Sequence, residues 1–208
     1  VVHPRMDFML YAMDAIVNEA AKWSHMTGGQ GHPGLTVRAI INRGGEQGAQ
    51  HSQALHNWFA HVPGLRVVMP ASVSDARDLL IASVLSEDPV IYIDDRWLYE
   101  QEDMLKPVEE LDLNSIRPIV VTEGEDITLV ASSFSTLVAK RSEQMLIDSG
   151  IKPEIIDLRV LNPVNYDLIL NSVKKTGRLA VIDSGWSSSG FSSEIITSVV
   201  EKLNPEIF

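Results

Sequence analysis

Short β-branched runs alternate with helix-length amphipathic stretches along most of this chain. That is the pattern of parallel strands joined by crossover helices. Phe8, Ala12, Ile16, Ala20 and Trp23 form one helical stripe, which Gly28-Gly29 ends. Residues 35–41 read as a strand, and the Gly-rich loop Asn42-Arg43-Gly44-Gly45-Glu46-Gln47-Gly48 follows. Ala54, Leu55, Trp58 and Phe59 mark a second helix, stopped at Pro63-Gly64, before a short strand over 65–69. Ser72, with Asp75 three positions on, predicts an N-terminal cap for a helix that runs to Leu85. A strand over 89–93 closes this first group.

The rhythm breaks between residues 98 and 122. Tyr99-Glu100-Gln101-Glu102-Asp103 is acidic, Pro107 and Pro118 interrupt, and no clear period survives. Alternation resumes with strands over 127–131, 154–158 and 179–182 and helices over 136–148, 166–174 and 192–203. The expected organisation is an α/β domain over 1–98, a linker over 99–122 and a second α/β domain over 123–208. The fold class is therefore α/β: two domains with mainly parallel sheets flanked by helices.

Composition narrows the functions such a fold could serve. The chain has 208 residues, 45% of them hydrophobic, which suffices for packed cores and argues against disorder. With 17 Lys+Arg against 28 Asp+Glu, its net charge is −11, and no basic cluster offers itself to a phosphate backbone; nucleic acid is not an expected partner. The absence of cysteine excludes disulfides, zinc-thiolate sites, iron–sulfur clusters and a cysteine nucleophile. No apolar run approaches the ~20 residues of a membrane span. The opening Val1-Val2-His3-Pro4-Arg5 resembles neither an initiator methionine nor a signal peptide.

Catalysis-capable side chains are densest in Arg43 to Gln53, where His51 stands just ahead of the second helix. Ligands of open parallel sheets bind beyond the carboxyl ends of strands, and this loop follows one. At a helix start, a positive dipole end would favour the neutral imidazole that acid–base work requires. The same run reads equally well as a glycine turn with capping polar residues. Gly44 to Gly48 lacks the spacing and the lysine of a phosphate loop. His51, His56 and His61 recur every five residues, which spreads them around a helix and defeats a metal site. Asp94-Asp95 reads as a solvated or ion-paired couple, with Arg96 as the nearest partner. Ser187 has no nucleophile-elbow frame, and Trp186 and Phe191 on that loop suit a domain or subunit contact. By composition alone, Phe8 is a core residue.

Gln50-His51-Ser52-Gln53 and the run Trp58-Phe59-Ala60-His61-Val62-Pro63-Gly64-Leu65-Arg66-Val67-Val68-Met69-Pro70 resemble the β subunit of the E1 component of 2-oxoacid dehydrogenase complexes, among the transketolase-like thiamine diphosphate enzymes. The likeness continues through Asp75-Ala76-Arg77-Asp78-Leu79-Leu80, Asp88-Pro89-Val90, Ile156 to Pro163 and Gly185-Trp186. It thus spans both expected domains in order. The resemblance implies a transketolase pyrimidine-type domain followed by a C-terminal-type domain, in a heterotetramer with an E1 α subunit and a second β subunit. It implies thiamine diphosphate and Mg2+, both held mainly with the α subunit, and a lipoyl-bearing E2 partner. The implied reaction is oxidative decarboxylation of a 2-oxo acid with acyl transfer to lipoamide, in the cytoplasm or, in a eukaryote, the mitochondrial matrix. Residue by residue, Phe8 falls on the aromatic that packs against the aminopyrimidine, and His51 on the histidine facing the substrate and lipoyl group.

Departures from the family pattern qualify this. The family's activating glutamate is expected upstream of Val1, and the family's tail beyond Phe208. Asp183 stands where the family often has glutamate, and Trp23 to Gly34 keeps only the Met-x-Gly-Gly pattern. A family potassium site on backbone carbonyls would leave no mark in side chains. Two other readings compete: a transketolase-type biosynthetic subunit, and a non-catalytic subunit-assembly module.

Overall fold

The computed structural model describes residues 4–42, 47–105, 107–108 and 112–203. They divide into two compact units, one of residues 1–116 with 160–163 and the other of residues 117–159 with 164–208.

The first unit begins with a helical run whose turns change width. A short α-helix, α1 (Met6–Met9), passes through a 3-10 turn (Leu10–Ala12) and a π-helical stretch (Asp14–Ala20) into α2 (Ala21–Met26). The expected stripe is therefore out of phase. Met6, Met9, Ile16 and Ala21 are buried, while Phe8 and Trp23 are each 44% exposed. A π turn advances about five residues per hydrogen bond, and the interval from Ile16 to Ala21 has that length. A period of 3.6 could not find this face. Gly28 and Gly29, with φ of 65° and 81°, end the run as expected.

Strands β1 (Thr36–Ile41), β2 (Arg66–Val68) and β3 (Val90–Asp95) then form a parallel sheet with β3 in the middle. β3 is buried along its whole length, which suits its Val-Ile-Tyr-Ile sequence. Helices α3 (His56–Ala60) and α4 (Val73–Leu85) make the crossovers. Ser72 caps α4 by accepting a hydrogen bond from the Asp75 amide at 3.1 Å. Val68, Leu79, Ala82, Val90, Tyr92, Leu113 and Val160 pack into one core. A glycine is required at position 64: its φ is 94°, and a Cβ there would lie 1.9 Å from the Ala21 carbonyl oxygen.

The second unit is a sheet in the order β4 (Ile119–Thr122), β6 (Pro153–Asp157), β5 (Ile127–Ala131), β8 (Leu179–Ile182). Helices α5 (Phe134–Asp148), α6 (Asp167–Thr176) and α7 (Phe191–Lys202) flank it. Two strands are the antiparallel members of these mainly parallel sheets. β4 lies inside the span read as a linker and pairs antiparallel with β6. β7 (Val160–Asn162), which the sequence pattern leaves unassigned, pairs antiparallel with β2 and belongs to the first unit. Both are short, and the prolines beside them, Pro118 and Pro163, resemble loop punctuation. Leu113, also in the expected linker, is a core residue of the first unit. Residues 112–122 are thus divided between the two units.

Several buried polar groups inside the second unit are paired. Thr128 bridges Ser172 and Thr176 at 2.6 and 2.8 Å. Glu154, whose side chain is 3% exposed, is ion-paired to Lys175. Burial pushes the Glu154 carboxyl up, but hydrogen bonds from Lys175 and Ser172 outweigh it and hold the group below its ordinary value. A carboxyl with a depressed folded-state pKa contributes its stabilisation fully above its ordinary value, and loses it as pH falls through the depressed one. Lys175→Met should therefore cost about 1–3 kcal/mol in urea unfolding near neutrality, by leaving a buried carboxylate without its cation. Repeating the measurement below the ordinary glutamate range should shrink the difference, because a protonated Glu154 no longer needs that partner.

Candidate functional site

Parallel pairing sets β1 and β3 with their carboxyl ends on one edge of the first sheet, with Ile41 opposite Asp95. Asn42 and Arg96 follow directly, and Arg96 Nη1 donates to Asn42 Oδ1 at 3.2 Å. The loop from β1 toward α3 leaves from this edge. Its residues 43–46 lie outside the described residues, so the glycines at 44 and 45 and Glu46 are not placed.

From Gly48 onward the loop is held by the start of the chain. Arg5 bridges Ile40 in parallel, and the Ile40 amide donates to the Pro4 carbonyl, which lays this segment alongside β1. The next residues each grip the loop. The Leu55 amide donates to Met6 Sδ at 3.2 Å, the Gln53 amide to Asp7 Oδ1 at 3.0 Å, and the Phe8 ring meets the His51 imidazole with centroids 4.9 Å apart and planes inclined by 64°. This is an edge-to-face aromatic contact. Successive residues on one side thus face every second residue on the other, running in opposite directions.

Both site residues expected from sequence are brought together here. Phe8 is not core: its ring is 44% exposed, with the rest packed on His51. His51 is half-buried and closes a 3-10 turn, Ala49–His51, rather than opening a helix. α3 begins only at His56, with Leu55 at its N-cap, so the expected helix-dipole effect on His51 has no structural basis. The reason is local: the turn after Gly48, with φ 75° and ψ 178°, ends before helical geometry can propagate. His56 is buried and His61 exposed, and no group of described residues could hold a metal ion.

Sequence reading missed Asp7, which is 6% exposed. Its only trace was its place beside Phe8. Among the buried polar atoms without a hydrogen-bond partner are Asp7 Oδ2, His51 Nδ1 and Asn42 Nδ2. All belong to segments at the carboxyl edge of β1.

The same edge carries a cavity of about 220 Å³ lined by Arg38, Ser72, Tyr92, Asp94, Asp95 and Tyr99, among others. Asp94 pairs with Arg38 at 2.6 Å, not with Arg96, because Arg38 points from the adjacent strand across the ladder. Asp95 Oδ1 instead accepts from the Trp97 amide at 3.1 Å. Burial, and then the Asp94 charge, push the Tyr99 phenol up to about 12; this pocket stays protonated at its phenol through neutral pH. In the second unit, Asp183 accepts from the amides of Gly185 and Ser192. Phe191 turns inward as the first residue of α7, whereas Trp186 is 80% exposed.

A mainly parallel sheet with an aromatic–histidine pair at its carboxyl edge defines the class: a two-unit α/β protein whose first sheet carries that pair. Family comparison then gives its relationship. Residues 2–101 match the model of the transketolase pyrimidine binding domain, and residues 118–207 that of the transketolase C-terminal domain. The chain belongs to the transketolase family. It is 35% identical over 196 residues to the pyruvate dehydrogenase E1 component subunit beta of Rhizobium meliloti (strain 1021), covering 94% of this chain and 43% of that protein. It is 36% identical over 197 residues to the mitochondrial 2-oxoisovalerate dehydrogenase subunit beta 2 of Arabidopsis thaliana, covering 94% and 55%. The chain therefore spans about half the length of these relatives. Among solved structures, a split-gene transketolase described as an inactive beta4 tetramer superposes with a TM-score of 0.81 at 20% identity, over 97% of this chain and 63% of that one. A transketolase from Pichia stipitis gives 0.64 at 16%, over 95% and 31%. At these identities the likeness concerns the fold.

Because nothing lies within 4 Å of a Cβ built at Gly48, a Gly48→Ala change would act through the backbone alone. Its φ of 75° should make the substitution cost about 1–3 kcal/mol in thermal unfolding. The ring-current shift of the His51 protons should fall with it, since the turn that delivers His51 to Phe8 would be displaced.

Proposed function

We propose that this chain is a β-type subunit of a thiamine diphosphate-dependent 2-oxoacid dehydrogenase E1. In this reading it carries the ring-binding half of the cofactor site. The observation that supports this most is the half-exposed Phe8 ring packed edge-on against His51 at the carboxyl edge of a parallel sheet. The names of the E1 β relatives agree with it. The chain fits the cofactor in part. Phe8 offers a face for the aminopyrimidine, and the half-buried His51 stands beside it. Among the described residues no group of three or more His, Asp or Glu side chains could hold a metal ion. In this reading the diphosphate and Mg2+ are held mainly with an E1 α subunit, which is the proposed partner along with a second β subunit and a lipoyl-bearing E2.

When bound, thiamine diphosphate supplies the electron sink that allows a 2-oxo acid to lose carbon dioxide. Phe8 orients the ring and keeps water from its covered face. His51 holds or transfers a proton where the acyl group leaves for lipoamide, the role its partly open imidazole suits. The site would operate in the cytoplasm of a bacterium or in the mitochondrial matrix of a eukaryote. No helix among the described residues is long and apolar enough to cross a membrane.

The test uses the full-length subunit reconstituted with its α partner. Phe8→Ala should raise the thiamine diphosphate concentration for half-maximal activity by roughly 3–10-fold, the equivalent of one aromatic contact. His51→Ala should instead lower kcat of acyl transfer by about 10²-fold with cofactor affinity little changed. Full acyl transfer by the histidine variant would remove His51 from the mechanism. Turnover of sugar phosphates in place of 2-oxo acids would reassign the subunit to a transketolase-type reaction. No cofactor-dependent turnover of either class would favour an assembly module.

A further inference from the structure

The grip of the first segment on the loop leaves two enclosed atoms unanswered: Asp7 Oδ2 and His51 Nδ1. Asp7 is 6% exposed and spends its other oxygen on the Gln53 amide at 3.0 Å. An enclosed carboxylate oxygen with no donor is costly, and such groups persist where a partner arrives during function. The two atoms are chemically complementary, since a carboxylate only accepts and an imidazole Nδ1 donates in one of its two tautomers. They also occupy neighbouring places in the grip: Asp7 holds Gln53, and the adjacent Phe8 touches His51.

We propose that Asp7 is the positioning residue of His51, its Oδ2 accepting a hydrogen bond from the Nδ1–H of the imidazole as the ring turns into place. This rests on the reading of His51 as the group that faces the substrate. The pairing fixes the tautomer: Nδ1 carries the proton, and Nε2 keeps a lone pair. Nε2 then accepts a proton from the reacting group and returns it, while the Nδ1–H···Oδ2 hydrogen bond to Asp7 stays in place. The arrangement follows the general logic of a base oriented by a buried acid. The bland alternative is that Asp7 merely ties down the loop through Gln53.

Asp7→Asn separates the two. Its Oδ1 can still accept from the Gln53 amide, so the loop stays tied. Its NH2 group, however, presents donors to Nδ1, which can then only accept, and the proton moves to Nε2. The experiment is a 15N–1H correlation of histidine-labelled full-length protein, free and with thiamine diphosphate and magnesium, alongside steady-state kinetics of the reconstituted enzyme. The expected result is a proton on Nδ1 of His51 in the wild-type protein and on Nε2 in Asp7→Asn. With it, kcat should fall by about 10²-fold while KM for the 2-oxo acid changes little. Wild-type His51 protonated on Nε2 in both states would overturn the proposal without any variant, even if Asp7→Asn failed to fold. So would an Asp7→Asn protein with the wild-type tautomer or full kcat. If the cofactor leaves the wild-type Phe8 and His51 signals unmoved, the functional reading fails instead, whatever the tautomer is.

Discussion

Delivery of His51 to Phe8 depends on one buried carboxylate accepting one backbone hydrogen bond. The loop after Gly48 contains no regular element longer than a 3-10 turn before α3, so its own hydrogen bonds cannot hold it. Asp7 supplies what is missing by accepting from Gln53, and Met6 and Phe8 on either side extend the hold to Leu55 and His51. A charge-assisted bond to a backbone amide is stronger than a neutral one, and burial of Asp7 increases that advantage. The segment that carries Asp7 is itself laid against β1 by the Ile40–Pro4 hydrogen bond. Sheet, segment and loop therefore form one chain of dependence, with the aromatic–histidine pair at its end.

The sheet adds a second constraint. Parallel strands send their carboxyl ends to a single edge, so the loop after β1 and the turn after β3 are neighbours whatever their sequences. That edge also collects charge: Asp94 and Asp95 end a fully buried strand, and Arg38 from β1 neutralises the first of them. Such a pair adds little net stability over apolar residues, because desolvation consumes most of the attraction. What it does is line a polar cavity at the sheet edge, where the Tyr99 phenol remains protonated because burial and the Asp94 charge both oppose its ionisation.

Much of this fold was legible in sequence because its signals are local. β1, β3, β5 and β8 are β-branched runs long enough to show, and Ser72 with Asp75 announces α4 as the structure has it. What could not be read depends on contacts distant in sequence. β7 is a strand only because β2 stands beside it, and β4 because β6 does. The first helix defeated a period of 3.6 because its turns widen at Asp14–Ala20. The site was half legible. Phe8 and His51 were placed by family resemblance, since composition alone would have buried Phe8. Asp7 was passed over, because an acidic residue at a helix start looks like ordinary capping until its partner, 46 residues away, is known.

The acidic balance of the chain bears on the proposed division of labour. A diphosphate with magnesium needs oxygen ligands for the metal and positive or amide donors for the phosphates. The ring half of the cofactor needs only an apolar face and well-placed polar groups. The edge built here offers the second set: a half-exposed phenyl ring, an imidazole and a buried carboxylate. If the complementary set belongs to another subunit, cofactor binding and subunit association share one free energy. Each must then strengthen the other by the same factor. A subunit with a net charge of −11 would also draw a partner surface bearing the cations that a diphosphate requires. On this view, the acidity of this chain helps to bring a phosphate-binding partner to it.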